Sequence, residues 1–154
     1  MPSPTPLEEL LAVATSARSL SIGLPASESA AERRFALTPE AAGSLVARGF
    51  RVRMQAGAAL CIHYADPAYA SQGVEIVERR EAMACDIVVH LPALTAADAR
   101  MLRRGAMVLT LFHPAQQDER AVRILLERHV IALALDLVAD GNGHRPFADI
   151  LHEI

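Results

Sequence analysis

Residues 106–137 read AMVLTLFHPAQQDERAVRILLERHVIALALDL, and this stretch decides the fold class. Ala106–Phe112 and Val130–Leu137 are apolar runs of the kind that form buried strands, and Gln117–Arg128 between them has the apolar spacing of a helix. Consecutive strands that are joined through a helix pair in parallel. The stretch therefore predicts a parallel sheet with helices against its faces.

The same alternation of strands and helices continues toward the N-terminus. Thr38 is a suitable N-cap for a helix that starts at Pro39 and ends at Gly49. Further strands are predicted at Ser19–Leu24, Phe50–Gln55, Val74–Val77 and Asp86–His90, and further helices at Pro67–Gln72 and Thr95–Arg103. Six strands separated by helical segments predict one α/β domain with an open, mostly parallel Rossmann-like or flavodoxin-like sheet.

The two ends of the chain depart from this pattern. Residues 1–18 read as an N-terminal extension, and residues 19–154 read as the domain itself. The extension predicts a short amphipathic helix, with apolar residues at helical spacing at Leu7, Leu10, Leu11 and Ala14. Pro146–Ile154 begins a helix that stops almost as soon as it starts.

Composition narrows the classes of partner and of chemistry. The chain has 15 positive and 18 negative side chains, which gives a formal charge of −3. Because no basic block could neutralise a run of phosphates, we expect no nucleic acid partner. Every positive side chain is Arg, and the absence of Lys excludes Schiff-base chemistry, a P-loop lysine and a lysine general base within this chain.

The two cysteines and the N-terminal residues indicate the cellular compartment of the protein. Cys61 and Cys85 are too far apart for a CxxC pair, and two thiols are too few for a secreted disulfide scaffold. The apolar stretch Leu10–Ala14 is far shorter than a membrane span, and it follows Glu8 and Glu9 instead of a basic leader. The sequence therefore predicts a soluble cytoplasmic protein without direct membrane insertion.

Neither glycine-rich phosphate motif, GxGxxG or GxxxxGK[ST], occurs in the sequence. Gly141-Asn142-Gly143 follows a predicted strand, but it lacks a third spaced glycine and a full crossover helix. A surface turn is the preferred interpretation of this segment. We therefore expect the chain to bind no cofactor by itself.

Candidate site residues lie where predicted strands end, because ligands of open parallel sheets bind at the carboxyl ends of strands. Arg34 follows the first strand, where a guanidinium either binds a carboxylate in bidentate fashion or forms a surface ion pair. His113 ends the central strand and His90 ends its neighbour. Each imidazole is either a group that acts on a ligand or a hydrogen-bonded structural histidine.

The sequence predicts no metal site. His63, Tyr64 and Asp66 lie close together, but they supply too few ligands unless His90 or His113 joins them. A nucleophilic cysteine is not indicated either, since neither thiol lies in an electropositive helix-start context.

Several segments, taken in order, resemble one known family. Gly23-Leu24-Pro25, and then Glu32-Arg33-Arg34-Phe35-Ala36-Leu37-Thr38-Pro39, are similar to the opening G-[IV]-P … E-x-R-V-A-x-T-P of alanine dehydrogenases and proton-translocating NAD(P) transhydrogenase α subunits. Similar segments follow at Gly49–Val52, Gln55–Ala58, Ala65-Asp66, Gly73–Val77, Asp86–Val89 and Phe112–Gln116. The resemblance covers about residues 20–154 and indicates the substrate-side N-terminal domain of that family.

The resemblance implies roles for the candidate residues. In the dehydrogenase branch the Arg of the first motif binds the substrate carboxylate, and the His after the central strand works at the substrate carbonyl. By position, Arg34 would bind substrate and His113 would be the catalytic residue. His90 is predicted to line the same crevice and to bind substrate. Pro92 replaces a substrate-binding lysine of the family, which argues against ordinary alanine dehydrogenase activity.

The resemblance also implies a cofactor and partners. The family chain continues into a Rossmann domain that holds NAD(P), so we predict the substrate-side half of an oxidoreductase that transfers hydride only with a Rossmann-domain partner. A small carboxylate ligand and a homo-oligomer are further expectations. Two alternatives stay open: a stand-alone, non-catalytic module that binds a small carboxylate or a protein partner, and a small lyase or isomerase that uses His113 and His90 as acid and base.

Overall fold

The computed structural model describes residues 19–29, 32–112 and 118–145. Six strands of this part of the chain form one sheet: β1 Ser21–Leu24, β2 Arg51–Gln55, β3 Glu75–Val77, β4 Ile87–Val89, β5 Met107–Thr110 and β6 Ile131–Ala134. Their order across the sheet is β3-β2-β1-β4-β5-β6, and every neighbouring pair is parallel. The predicted α/β class with a parallel sheet is confirmed.

Five helices connect these strands: α1 Pro39–Ala47, α2 Asp66–Ala70, α3 Arg79–Met83, α4 Ala96–Met101 and α5 Glu119–Glu127. Short 3₁₀ turns follow β2 and β6, at Leu60–Ile62 and Leu135–Leu137. The predicted cap of α1 is confirmed, because the Thr38 side chain accepts a hydrogen bond from the amide of Ala41 and Pro39 opens the helix.

The helices lie on both faces of the sheet and form two core clusters. On one face, α1 and α2 pack against β1 and β2 around the fully buried side chains of Leu24, Met54 and Tyr69. On the other face, α4 and α5 pack against the fully buried Val88 and Val108, which are register partners in β4 and β5. These clusters hold the carboxyl ends of β1 and β4 side by side at the centre of the sheet.

Gly23 allows a close approach between β1 and α3. A Cβ atom at this position would lie 1.8 Å from the carbonyl oxygen of Ala82, so only glycine fits. The sequence pattern does not predict α3. The helix is five residues long, and its buried residues are a single adjacent pair, Ala82 and Met83, which shows no helical period.

The boundaries of the other elements differ from the predictions by about one or two residues, with one exception. The last strand was expected over Val130–Leu137, whereas the chain leaves the sheet after Ala134 and turns at Leu135–Leu137. The carboxylate of Asp136 in that turn accepts the amide of Phe112 at 2.6 Å, which holds the turn at the end of β5. The predicted N-terminal helix and the residues from Pro146 onward lie outside the described residues.

Of the helices in the described ranges, none has the length and apolar character needed to cross a membrane.

Candidate functional site

A narrow cleft lies at the carboxyl ends of β1 and β4, where the strand order reverses and where open parallel sheets bind their ligands. Its lining residues are Pro25, Ser27, Arg34, Phe35, Ala36, Val89, His90, Leu91 and Pro92. The cleft has a volume of about 10 Å³, which is room for roughly one water molecule. It brings together Arg34 and His90, two of the three predicted site residues.

A larger cavity of about 530 Å³ lies at the opposite edge of the sheet, among residues that precede β4, β5 and β6. Four arginines line it: Arg80, Arg100, Arg103 and Arg128. Basic side chains near helix C-termini complement the helix dipole, and this accounts for Arg80 and Arg100. The smaller cleft is the better candidate site, because it lies at the edge where loops follow the strands and it contains the buried polar residue His90.

Arg34 lies in the segment after β1, and its guanidinium is paired with Glu32. Nε of Arg34 donates to Oε1 of Glu32 at 2.8 Å and Nη2 donates to Oε2 at 2.7 Å, so the pair is bidentate. Oε1 also accepts the backbone amide of Arg34 at 2.9 Å. These hydrogen bonds hold the pKa of Glu32 below its ordinary value. The pair leaves the Nη1–Nη2 edge of Arg34 available for a second carboxylate.

His90 follows β4 and is only 3% exposed. Burial lowers the pKa of His90 to about 4, against the opposing effect of the Asp98 carboxylate, so the imidazole is neutral at pH 7. Among the described residues, its Nδ1 atom has no hydrogen-bond partner. A neutral imidazole with an unpaired buried nitrogen can make one hydrogen bond to a ligand in the cleft. It is a poor general acid near neutrality, which argues against the predicted lyase alternative.

Arg79 joins three elements around the cleft. Its Nη1 donates to the carbonyl oxygen of Ala26 at 2.7 Å and to Oε1 of Gln55 at 3.3 Å, and its Nη2 contacts Oδ1 of Asp98 at 2.5 Å. The other carboxylate oxygen of Asp98 accepts the amide and the hydroxyl of Thr95, which caps α4. The network therefore fixes the loop after β1 against β2 and against the start of α4.

The segment after β4 is held in place by β5. The amide of Leu111 donates to the carbonyl oxygen of Leu91 at 3.1 Å, and the Thr110 hydroxyl donates to the carbonyl oxygen of Pro92 at 3.0 Å. These bonds place the Pro92 ring in the lining of the cleft. At the position where the family resemblance implies a lysine, the lining therefore has the uncharged ring of Pro92, and Arg34 is the cation of the cleft.

His113, the third predicted site residue, belongs to residues 113–117, which are outside the described ranges. Its predicted catalytic role therefore stays a prediction.

The group His63, Tyr64 and Asp66 has a structural explanation. Both carboxylate oxygens of Asp66 accept the amide of Gly57, at 2.9 and 3.1 Å, which fixes the turn after β2. Within residues 19–29, 32–112 and 118–145, no three His, Cys, Asp or Glu side chains are placed to hold a metal ion. The two thiols are separate, with Cys61 exposed and Cys85 buried.

The loop after β1 does not fit a dinucleotide. It reads Leu24-Pro25-Ala26-Ser27 without a glycine, and the first helix after β1 in the described part of the chain begins only at Pro39. Within these residues, no helix N-terminus directly follows β1 to bind a pyrophosphate. We therefore assign no NAD(P)-binding role to the described residues.

The sequence pattern did not assign roles to Glu32, Arg79 or Asp98. Thr95-x-x-Asp98 has the spacing of a capping box and predicts a helix start, but it does not predict an ion pair with Arg79. No local pattern distinguishes Arg79 from the other arginines. Only the arrangement of β1, β2 and α4 in space reveals that it connects them.

Comparison with known proteins identifies relatives. The family model described as alanine dehydrogenase/PNT, N-terminal domain, matches residues 23–149. The chain is 34% identical over 121 residues to the NAD(P) transhydrogenase subunit alpha of Cereibacter sphaeroides, an alignment that covers 77% of this chain and 23% of that protein. It is 30% identical over 122 residues to the alanine dehydrogenase of Bacillus subtilis, covering 79% of this chain and 32% of that protein. The chain thus spans between 23% and 32% of the length of these two relatives.

Solved structures agree on the fold. An L-alanine dehydrogenase superimposes with a TM-score of 0.76 over 82% of this chain and 35% of its own, and a transhydrogenase from Sinorhizobium meliloti superimposes with a TM-score of 0.70 over 76% of this chain and 35% of its own. Both are 23% identical to this chain, so the likeness shows the shared fold.

Proposed function

The chain belongs to the alanine dehydrogenase/PNT N-terminal domain family, and from this membership we propose that it is the substrate-side domain of an oxidoreductase and binds a small carboxylate at the mouth of the cleft between β1 and β4, where the side chain of Arg34 is 30% exposed. The family resemblance expected from the sequence motifs is confirmed by the match over residues 23–149. The curated relatives are named for alanine dehydrogenase and for NAD(P) transhydrogenase. A 2-amino or 2-oxo acid such as alanine or pyruvate is the ligand class that we propose.

The observation that carries this proposal is the position and pairing of Arg34. Its side chain lines the cleft at the carboxyl end of β1, and Glu32 holds only one edge of the guanidinium. The opposite edge has the donor geometry that binds a carboxylate in bidentate fashion. Glu32 thus orients the arginine and leaves it able to bind an acidic ligand.

His90 supplies the second interaction in this proposal. The imidazole lines the same cleft, is neutral at pH 7 and has an unpaired Nδ1 among the described residues. A ligand carbonyl or amino group could pair with this nitrogen without the cost of burying another charge. Arg34 would therefore bind the carboxylate and His90 would orient the group at the adjacent carbon.

His113 is the residue that we propose for proton transfer. It follows Phe112 at the end of β5, next to β4, so a ligand held by Arg34 and His90 would lie near the same edge of the sheet. Histidine is the side chain that most often acts as a general acid or base. We propose that NAD(P) is supplied by a separate Rossmann domain or subunit, because the loop after β1 does not fit a dinucleotide.

A stand-alone carboxylate-binding module is the second candidate. It is favoured by Pro92, which takes a position in the cleft lining where the family resemblance implies a lysine. A cleft with one cation binds an acid group but provides less stabilisation for charge that develops in a transition state. We place either form in the cytoplasm on the basis of the two separate thiols.

Titration of the full chain with pyruvate and with L-alanine, followed by NMR and calorimetry, tests the binding step. We expect saturable shifts at Arg34 and His90, and a loss of affinity of roughly 10- to 100-fold in Arg34→Gln, since a charge-assisted pair is removed. The neighbouring Arg33 is exposed, so Arg33→Gln is the matched control and should bind as the unaltered chain does. Equal affinities in all three proteins, or no binding at millimolar ligand, would contradict the proposal.

A second measurement separates the two candidates. The tagged chain is recovered from its native extract, and proteins that co-purify are identified by mass spectrometry and assayed for NAD(P)H oxidation with pyruvate. A Rossmann-domain partner whose activity requires Arg34 would support the oxidoreductase. Carboxylate binding by a chain that is recovered alone and shows no turnover would support the binding module.

A further inference from the structure

Half of one sheet face is apolar, and its part over β5 and β6 lacks a covering helix among the described residues, whereas Ile87 and Val89 of β4 pack partly against the cluster of α1 and α2. We call it the open face, and it consists of side chains from the last three strands: Ile87, Val89, Met107, Leu109, Ile131 and Leu133. Register partners in a parallel sheet share a face, and these residues form two continuous rows across β4, β5 and β6.

Burial along these rows falls steadily toward the edge of the sheet. In the first row, Ile22 of β1 is buried, its register partner Ile87 is intermediate, Met107 is intermediate and Ile131 is 54% exposed. In the second row, exposure reaches 42% at Leu133. An exposed row of large apolar side chains on one sheet face is the signature of a surface that another element covers.

The described helices cover the rest of the two sheet faces. α1 and α2 cover β1, β2 and β3 on the same face, and α3, α4 and α5 lie on the opposite face. The exposed side of β5 and β6 therefore has no helical partner within residues 19–29, 32–112 and 118–145.

The N-terminal segment joins the described chain beside this face. Leu20, immediately before β1, is 48% exposed and lines a cavity of about 280 Å³ together with Ile87, Met107 and Ile131. Residues 1–18 therefore connect to the rim of the open face. Arg104, which lines the same cavity, has no carboxylate partner among the described residues.

We propose that residues 7–18 form an amphipathic helix that docks on the open face, with its leucine stripe against Met107 and Ile131. Twelve helical residues span about 18 Å, and the three strand spacings from β1 to β6 span about 14 Å, so the segment is long enough to cross the exposed strands.

Tethering favours this occupant over a second copy of the chain. The segment is joined to Ser19, so its effective concentration at the open face is in the millimolar range, well above that of a second molecule in dilute solution. Coverage by residues 7–18 would bury the apolar rows within one chain. The inference does not depend on carboxylate binding in the cleft.

Methionine oxidation by peroxide reports directly on the open face. Met107 lies on it, whereas Met101 is partly buried against the cluster on the opposite face and serves as an internal control. We expect Met107 to be protected in the full chain and to oxidise several-fold faster in Leu11→Glu, which places a charge in the leucine stripe. Ser16 lies on the opposite side of the predicted helix, so Ser16→Glu should leave the Met107 rate unchanged.

Two results would overturn the proposal. One is an equal Met107 oxidation rate in the full chain, Leu11→Glu and Ser16→Glu. The other is protection that depends on protein concentration and persists in Leu11→Glu, together with a dimer mass by light scattering, which would assign the open face to a second copy. Unfolding of Leu11→Glu but not of Ser16→Glu supports the proposal, since a charge in an undocked segment leaves the domain folded.

Discussion

The Nη2 atom of Arg79 lies 2.5 Å from Oδ1 of Asp98, and both side chains are largely buried, at 16% and 3% exposure. This ion pair connects the start of the loop after β1 to the first turn of α4 through Ala26 and Thr95. The loop after β1 forms one wall of the cleft through Pro25 and Ser27, on either side of Ala26. Arg79 and Asp98 therefore hold the loop that supplies Pro25 and Ser27 to the cleft lining.

Asp98→Asn should destabilise the protein by about 3–5 kcal/mol, because it removes the buried counter-charge of the Arg79 guanidinium. Glu28 provides the matched control: its carboxylate also faces Arg79, at 3.5 Å, but its side chain is 68% exposed. Glu28→Gln should change the free energy of unfolding by less than about 1 kcal/mol. Urea unfolding followed by circular dichroism measures both, and similar losses in the two variants would contradict a structural role for the Arg79–Asp98 pair.

Stability should fall as the pH is lowered from about 6.5 toward 4. The folded-state pKa of His90 is about 4 because the side chain is buried, whereas the unfolded chain has the ordinary value near 6.5. Across this window the unfolded state binds a proton that the folded state does not, and the contribution between pH 7 and pH 5 is about 2 kcal/mol. His90→Asn should remove this slope, and His129→Asn, at an exposed position, should keep it. The same slope in His90→Asn as in the unaltered chain would show that His90 is not the source.

Tyr69→Phe should cost about 1–3 kcal/mol of stability and weaken carboxylate binding. The Tyr69 hydroxyl donates to the carbonyl oxygen of Leu37 at 2.6 Å, and this bond anchors the segment that carries Arg34. Burial raises the pKa of Tyr69 to about 12, so the hydroxyl stays protonated and remains a donor. Tyr64→Phe, at the exposed neighbour, is the control for calorimetric titration with pyruvate. If both variants bind equally well, the Leu37 contact has no part in placing Arg34.

Gly23→Ala should prevent normal packing of α3 on β1. The added Cβ would meet the Ala82 carbonyl oxygen at 1.8 Å, so backbone must move, and we expect a loss of at least about 3 kcal/mol or a failure to fold. At Gly141 an added Cβ meets nothing within 4 Å, so Gly141→Ala should stay within about 0.5 kcal/mol of the unaltered chain. Thermal unfolding of both proteins decides this, and a normal melting curve for Gly23→Ala would mean that α3 can shift freely.

The amino-acid sequence by itself determined the class of the fold. The spacing of apolar residues indicates which face of a strand or helix is buried. It distinguishes a strand from a helix when the spacing is repeated over several residues. Residues 106–137 satisfy this condition, and the six predicted strands are all present. The helix Arg79–Met83 is too short to show a helical period, so the apolar pattern does not predict it. The end of β6 is set by the contact between Asp136 and Phe112, which the apolar pattern does not predict either.

The sequence also indicated Arg34 and His90 as cleft residues, because residues that follow strands of a parallel sheet collect at one edge. Only the tertiary structure decided the protonation of His90 and the ion pairing of Arg34. The strand order β3-β2-β1-β4-β5-β6 determines which side chains surround each of them. It buries His90 and so keeps the imidazole neutral. The pairs Arg34–Glu32 and Arg79–Asp98 form within the same arrangement. Strand order is set by packing between segments that are far apart in the chain. A local sequence pattern does not predict which of these segments become neighbours in the sheet.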